Sequence, residues 1–326
     1  MVVKIDTSLF SDEGLFTKID RCFFYFYERR YDFYLDDESI IDSEWIKEAR
    51  LQNGELMMEA FERTVQNSLS FDLTISDNNN VEDDVYTIDE ALFILNNPVC
   101  IFLENAVNDG NFILGLFNKF KSKGRKCLKF FNEGWILFKN AGGKNDIINQ
   151  IRNMLTTYEQ RDLDNKIYLR AIVIVDSDKK NPTEIIEANN VLVEFCNLNN
   201  ITLHILEKRE MENYMPIEML NDIEDINSEK VEAIANLNKV QQDYYDLDDG
   251  FRGKSRNELD NIFADLTNEQ YNTLKNGLSQ EIKTKIEVPK LFLSNKITHE
   301  DLNNKCSHQL DSNELLNIID KIDSLL

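Results

Sequence analysis

Three continuous apolar runs in this chain end in acid. "PVCIFLE" ends in Glu104, "AIVIVDSD" in Asp176 and Asp178, and "ITLHILE" in Glu207, with Glu212 close behind in "EKREMENY". Uninterrupted apolar runs of strand length are read as strands covered on both faces. In an open parallel sheet, ligands sit beyond the carboxyl ends of the strands, so these acids would share one edge. If the chain stays extended through Ser177, Asp176 and Asp178 project to the same side. Carboxylates gathered together repel, and their pKa values rise unless a cation neutralises them. A hard divalent ion does so, taking few carboxylates and keeping positions for water and phosphate oxygens. Such an ion can generate a hydroxide or stabilise both oxygens of a phosphodiester displacement, and a nearby lysine would neutralise further charge. Glu104, Asp176 and Asp178 are therefore candidate ligands for Mg²⁺ or Mn²⁺. A lone strand-end Asp is commonly a turn residue or helix cap; it is the combination that points to a metal site.

The elements that would carry these residues alternate. From residue 98 the order is strand "PVCIFLE", helix "GNFILGLFNKFKSKG" stopping at Gly124, candidate strands "KCLKFF" and "WILFKN", helix "NDIINQIRNMLTTYEQ", strand "KIYLRAIVIVD", helix "EIIEANNVLVEFCNLNN" and strand "ITLHILE". This indicates an α/β fold, a mostly parallel sheet with helices on both faces. Residues 1–97 read as a separate N-terminal α+β module. Its aromatic stretch "CFFYFY" suits core or interface burial better than base stacking. "IIDSEWIKEARLQNGELMMEAFERTVQNSL" has helical spacing at Trp45, Ala49, Met57, Ala60 and Phe61, and "TIDEALFILNN" opens with the capping-box pair Thr87 and Glu90. After residue 216 the pattern is polar and helical. The expected domains are 1–97, 98–216 and 217–326.

The formal net charge is −23, so most of the surface repels nucleic acid. One stretch differs: residues 119–144 hold Lys119, Lys121, Lys123, Arg125, Lys126, Lys129, Lys139 and Lys144 against the single acid Glu133. Phosphate would be drawn there. Lys126, Lys144 and Gly143, whose Gly-Gly-Lys turn could form a backbone nest, are the candidate phosphate-binding residues; the same lysines also suit the solvated face of a helix. The turn lacks the glycine and Ser/Thr spacing of a P-loop, so a nucleotide-driven step would need a partner. Five scattered cysteines without CxxC suggest reduced thiols and a cytoplasmic setting. No stretch has the length of a membrane span. His204 is read as a packed strand residue, and zinc spacing is absent.

Taken in order, "CIFLENAVNDGNFI", "NAGGKNDI", "IVIVDSDKK" and "LHILEKREMENYM" resemble the Toprim domain of the OLD-type nucleases and of stand-alone Toprim nucleases in bacterial anti-phage systems. The resemblance covers residues 98–216 well, 217–326 loosely and 1–97 not at all. It implies a Toprim-like catalytic domain, hydrolysis of phosphodiester bonds in DNA or RNA, a role in antiviral defence, and a separate ATPase or sensor subunit as partner. Homo-oligomers are also expected. Carried over, Glu104 would be a metal ligand and general base, Asp176 and Asp178 metal ligands, and Asp109 a second-metal or supporting acid. Lys208, just after the last strand, is the candidate catalytic lysine, and Glu212 is read as a structural acid at the start of the next helix. The family usually has Gly after the glutamate and an acid four residues on; here Asn105 and Asn108 stand there, with Asp109 one further. That departure supports a rival reading, a degenerate scaffold that binds a partner without catalysis. A phosphatase-like use of Asp176 as nucleophile ranks last, because another strand-end acid precedes it.

Overall fold

The computed structural model describes residues 1–34, 42–48, 55, 58–59, 62, 71–77, 84–160 and 169–326. The chain divides into two compact units. One comprises residues 1–98, 157–170 and 324–326, the other residues 99–156 and 171–323. The change of pattern at residue 98 coincides with this division. The expected boundary at 216–217 does not separate compact units, because the C-terminal helices pack onto the preceding sheet and helices.

In the first unit, β1 (Val2–Ile5), β2 (Asp32–Tyr34), β3 (Leu73–Ile75) and β4 (Val85–Tyr86) form a sheet of order β2-β1-β3-β4. Every described pairing is parallel, whereas the sequence suggested an α+β module. These strands are only two to four residues long, too short for a clear period. Helix α1 (Phe16–Tyr27) takes up the aromatic stretch. Phe23 and Phe26 are buried, packing with Phe33, and Phe23 also meets Phe10 and Trp45, while Phe24 and Tyr27 are exposed. Helix α2 (Glu44–Glu48) includes Trp45; Ala49, Met57, Ala60 and Phe61 lie outside the described residues. Helix α3 (Ile88–Asn96) begins with Thr87 and Glu90 bonded reciprocally as a capping box.

The second unit is built on β5 (Val99–Leu103), β6 (Ile136–Asn140), β7 (Ala171–Val175) and β8 (Thr202–Ile205), in the order β6-β5-β7-β8. All three pairings are parallel. Every residue of β5 and β7 is buried, as expected for central strands covered on both faces. The chain leaves β5 for one neighbour and reaches β7 on the other side, so a topological switch point lies between β5 and β7. Crevices at such points are where open α/β sheets bind ligands.

Helices α4 (Asn108–Lys119), α5 (Lys123–Asn132), α6 (Lys144–Glu159) and α7 (Glu187–Leu198) connect these strands. "KCLKFF", expected as a strand, is instead part of α5. Cys127 and Phe130 are buried at helical spacing, while the lysines around them face outward. Gly124, expected to stop α4, lies in α5, where an added Cβ would come 2.5 Å from the Phe117 carbonyl oxygen. Beyond β8 come α8 (Ser228–Ala235), α9 (Lys239–Tyr244), α10 (Asn268–Leu274), α11 (Thr284–Leu291), α12 (His299–Cys306) and α13 (Glu314–Asp323). Helix α11 packs on α4: Phe292, just past its end, meets the Phe112 ring at 5.0 Å. Gly115 leaves room for it, since a Cβ there would fall 2.7 Å from Phe292 Cβ. Helix α13 packs on α5.

Candidate functional site: a carboxylate cluster at the switch point

Glu104 and Asp176 follow directly on β5 and β7, the strands that bound the switch point. The loop after β5 is shaped by its own side chains. Asn105 N donates to Asp109 Oδ2 at 2.8 Å, and the N–H groups of Val107 and Asn108 donate to Asn105 Oδ1 at 3.1 and 3.0 Å. Asp109 thus sits in the first turn of α4, facing back toward the strand end. Burial pushes its carboxyl up to about 6, against the pull of the Asn105 N–H and of Lys285.

Asp176 and Asp178 diverge. Asp178 has φ +57°, the left-handed region that Asp tolerates better than most residues, so the chain does not remain extended as the period-two argument required. Ser177 is fully buried and its hydroxyl donates to the Lys208 carbonyl at 2.6 Å, while Asp178 N donates to the Arg209 carbonyl at 3.0 Å. These bonds fix the turn. Asp176 Oδ1 accepts from Met211 N at 2.9 Å. Its carboxyl is held well above its ordinary range, by burial first and then by repulsion from Glu212, Asp109 and Glu210, against the pull of Lys285. Asp178 turns the other way and pairs with Lys144.

Lys144 begins α6 after the Gly142–Gly143 turn, where both glycines have positive φ (76° and 138°), a conformation glycine adopts without steric cost. Gly142 N donates to the Glu104 carbonyl at 2.8 Å, tying that turn to the end of β5. The Lys144 ammonium is buried, pairs with Asp178 and lies 4.0 Å from Glu104 Oε1. Glu104 Oε1 is itself buried without a hydrogen-bond partner. Burial raises the Glu104 carboxyl to about 7; Lys144 opposes this, and Asp178 and Asp109 add to it.

Three members of the cluster come from outside the residues singled out for chemistry. Glu212 is buried, and its carboxyl is raised to about 7, by burial first, with Lys285 opposing and Glu210 adding. It stands in the first turn of the short 3-10 helix Met211–Tyr214, the helix start where the sequence reading placed it. Glu210, also raised by burial, is 3.0 Å from Lys285 Nζ. Lys285, at the start of α11, is a second lysine beside the acids, after Lys144. Burial lowers its pKa, but Glu212, Glu210 and Asp176 outweigh that and raise it. Its charge in "KTKIEVPK" carries no local signal of this role.

Lys208 is engaged elsewhere. It is fully buried, its ammonium 2.5 Å from Asp243 Oδ1 and 2.8 Å from the Lys305 carbonyl, above the Tyr214 ring. So enclosed, its ammonium is not open to solvent at the strand edge, where the sequence reading set the catalytic lysine. Lys126 likewise points elsewhere, pairing with Asp323 at 2.7 Å, as Lys123 does with Asp320. Two of the island's eight basic residues thus pair with acids of α13. His204 is a packed strand residue, 3.0 Å from Glu314.

All donors in the cluster are carboxylate oxygens, the ligand type of hard divalent cations. The orphaned Glu104 Oε1 and the elevated acids are what a cation would relieve. Among the described residues, no three His, Cys, Asp or Glu side chains already stand as a metal-binding group. No helix among the described residues is long and apolar enough to cross a membrane. Comparisons with protein families, with curated proteins and with solved structures find no match for this chain.

Proposed function

We propose that the cluster is the metal-dependent active site of a Toprim-like nuclease that hydrolyses phosphodiester bonds. What supports this reading is the position of Glu104 and Asp176 at the ends of β5 and β7, with Asp176 feeling the charges of Glu212, Asp109 and Glu210, Glu104 those of Asp178 and Asp109, and Glu104 and Glu212 raised to about 7. Such a set is unfavourable without a cation, and strongly shifted acids in a crevice are typical of functional sites. Glu104, Asp109, Asp176 and Glu212 are the residues that would hold Mg²⁺ or Mn²⁺. The ion would supply Lewis-acid stabilisation of phosphoryl oxygens and a more acidic bound water.

The chain's own groups do the rest. Lys285, partly exposed beside Glu210, neutralises charge developing on a phosphoryl oxygen. Glu104, with a carboxyl near neutrality, accepts the proton of an attacking water. The Gly142–Gly143 turn and Lys144 border the same edge and position a phosphate of the nucleic-acid strand. Anti-phage defence, a separate ATPase or sensor, and self-association belong to this proposal through the resemblance of residues 98–216.

One observation favours a second reading. Lys144 already sets a cation between Asp178 and Glu104, which suits a scaffold that keeps the edge closed and binds a partner without chemistry. Incubation of plasmid DNA and of RNA with the purified chain distinguishes the two. The nuclease reading expects cleavage with Mg²⁺ or Mn²⁺ and none with EDTA; intact substrates under every condition would favour the scaffold.

A further inference from the structure

We propose that a second site, a cleft lined by Lys179, Tyr244, His308 and Gln309, binds one nucleoside monophosphate unit. The cleft has a volume of about 240 Å³ and is also lined by Pro182, Val240 and Leu310. Its polar floor is unusual. Asp243 is buried, with Lys208 Nζ 2.5 Å from Oδ1 and His308 Nε2 2.6 Å from Oδ2. A carboxylate only accepts, so His308 Nε2 carries the proton of this bond, and Nδ1 is the ring's other polar atom. That Nδ1 is buried and has no partner.

The next residue repeats the pattern. Gln309 Nε2 donates to Glu314 Oε2 at 2.8 Å and lies 3.5 Å from Glu207 Oε2. These two carboxylates fix the amide orientation, and Gln309 Oε1 is left buried without a donor. Two neighbouring residues that line one cleft thus each hold a buried polar atom without a partner, and such atoms are costly. A ligand that supplies an N–H or O–H donor would satisfy Gln309 Oε1.

The remaining lining gives the rest of the ligand's chemistry. The Tyr244 ring is held by its hydroxyl, which donates to the Glu207 carbonyl at 3.2 Å. With Pro182, Val240 and the wholly exposed Leu310 it offers apolar faces on which a flat heterocycle can stack. Lys179 makes no ion pair among the described residues, and it follows Asp178 directly in the chain, so an anion held there lies beside the carboxylate edge. Glu207, which lines the cleft together with Asp243, is engaged by the Asp311 N–H at 2.9 Å. Hydrogen-bond donors, a flat apolar body and one anionic group together describe a nucleotide, and the cleft's size limits it to one unit.

As a site for part of the substrate this rests on the nuclease reading; as a binding site it is measured without metal or cleavage. The experiment is calorimetry in EDTA on the full chain, with AMP, GMP, CMP and UMP, and with ribose 5-phosphate and inorganic phosphate as controls. The expected result is saturable 1:1 binding of at least one mononucleotide, about tenfold tighter than either control and about tenfold weaker in Lys179→Ala and Gln309→Ala. Asp176→Ala should bind as the wild type does, which separates this site from the carboxylate cluster. No saturable binding, equal binding of ribose 5-phosphate or phosphate, or unchanged affinity in both variants would overturn the proposal.

Discussion

Lys285 Nζ lies 3.0 Å from Glu210 Oε1, which joins the start of α11 to the segment after β8. Through it a C-terminal helix enters the electrostatics of the strand-end acids, because Asp176, Glu210 and Glu212 all raise the lysine's pKa. The helical segment after residue 216 up to Asp323 therefore belongs to the same compact unit as the strand-end acids.

Two lysines should separate chemistry from stability. Lys285 is partly exposed, so Lys285→Ala should cost about 1 kcal/mol or less in unfolding free energy, yet lower the cleavage rate by about 10²-fold. Lys208→Ala should do the reverse in kind. It strands Asp243 in the interior and should cost about 3–5 kcal/mol. Urea unfolding and initial cleavage rates on both variants check this; a Lys285→Ala enzyme of unchanged rate would contradict it.

The acid cluster sets a pH dependence of stability. Glu104 and Glu212 are raised to about 7 and Asp109 to about 6, so the folded chain keeps protons that the unfolded chain releases near its ordinary carboxyl range. Between about pH 4.5 and 7 the native state binds more protons, and stability falls as pH rises through that window. Melting temperatures measured without divalent ions should therefore decline from about pH 5 to 7.5. Glu212→Gln should flatten the decline. Mg²⁺ should raise the melting temperature more at the upper end of the window, where protons compete less.

The contact between α4 and α11 depends on a missing side chain. A Cβ on Gly115 would meet Phe292 Cβ at 2.7 Å and its carbonyl oxygen at 2.9 Å. Gly115→Ala should force α11 outward, cost about 1–3 kcal/mol, and reduce cleavage by displacing Lys285. Chemical denaturation and a cleavage assay on the same preparation read both effects.

The strands that place the site were legible because β5 and β7 are buried throughout and so appear as unbroken apolar runs. Glu104 and Asp176 followed from their position at the ends of those runs. The direction of Asp178 did not, since a left-handed residue after an extended run leaves no periodic trace. Lys208 was misplaced for a related reason: nothing local distinguishes a lysine at an open edge from one enclosed by Asp243 and the Lys305 carbonyl. Lys285 was missed because its partners are distant in sequence. "KCLKFF" was misread as a strand because a short apolar run fits either period; only the packing of Cys127 and Phe130 decides for the helix.

The most direct measurement compares plasmid nicking by the wild-type chain with that by Glu104→Ala and Asp176→Ala, in Mg²⁺ and in EDTA. The metal-dependent reading predicts nicking by the wild type in Mg²⁺ alone and loss of activity in both variants, each still folded by circular dichroism. Nicking that persists in EDTA, or that survives both substitutions, would contradict it.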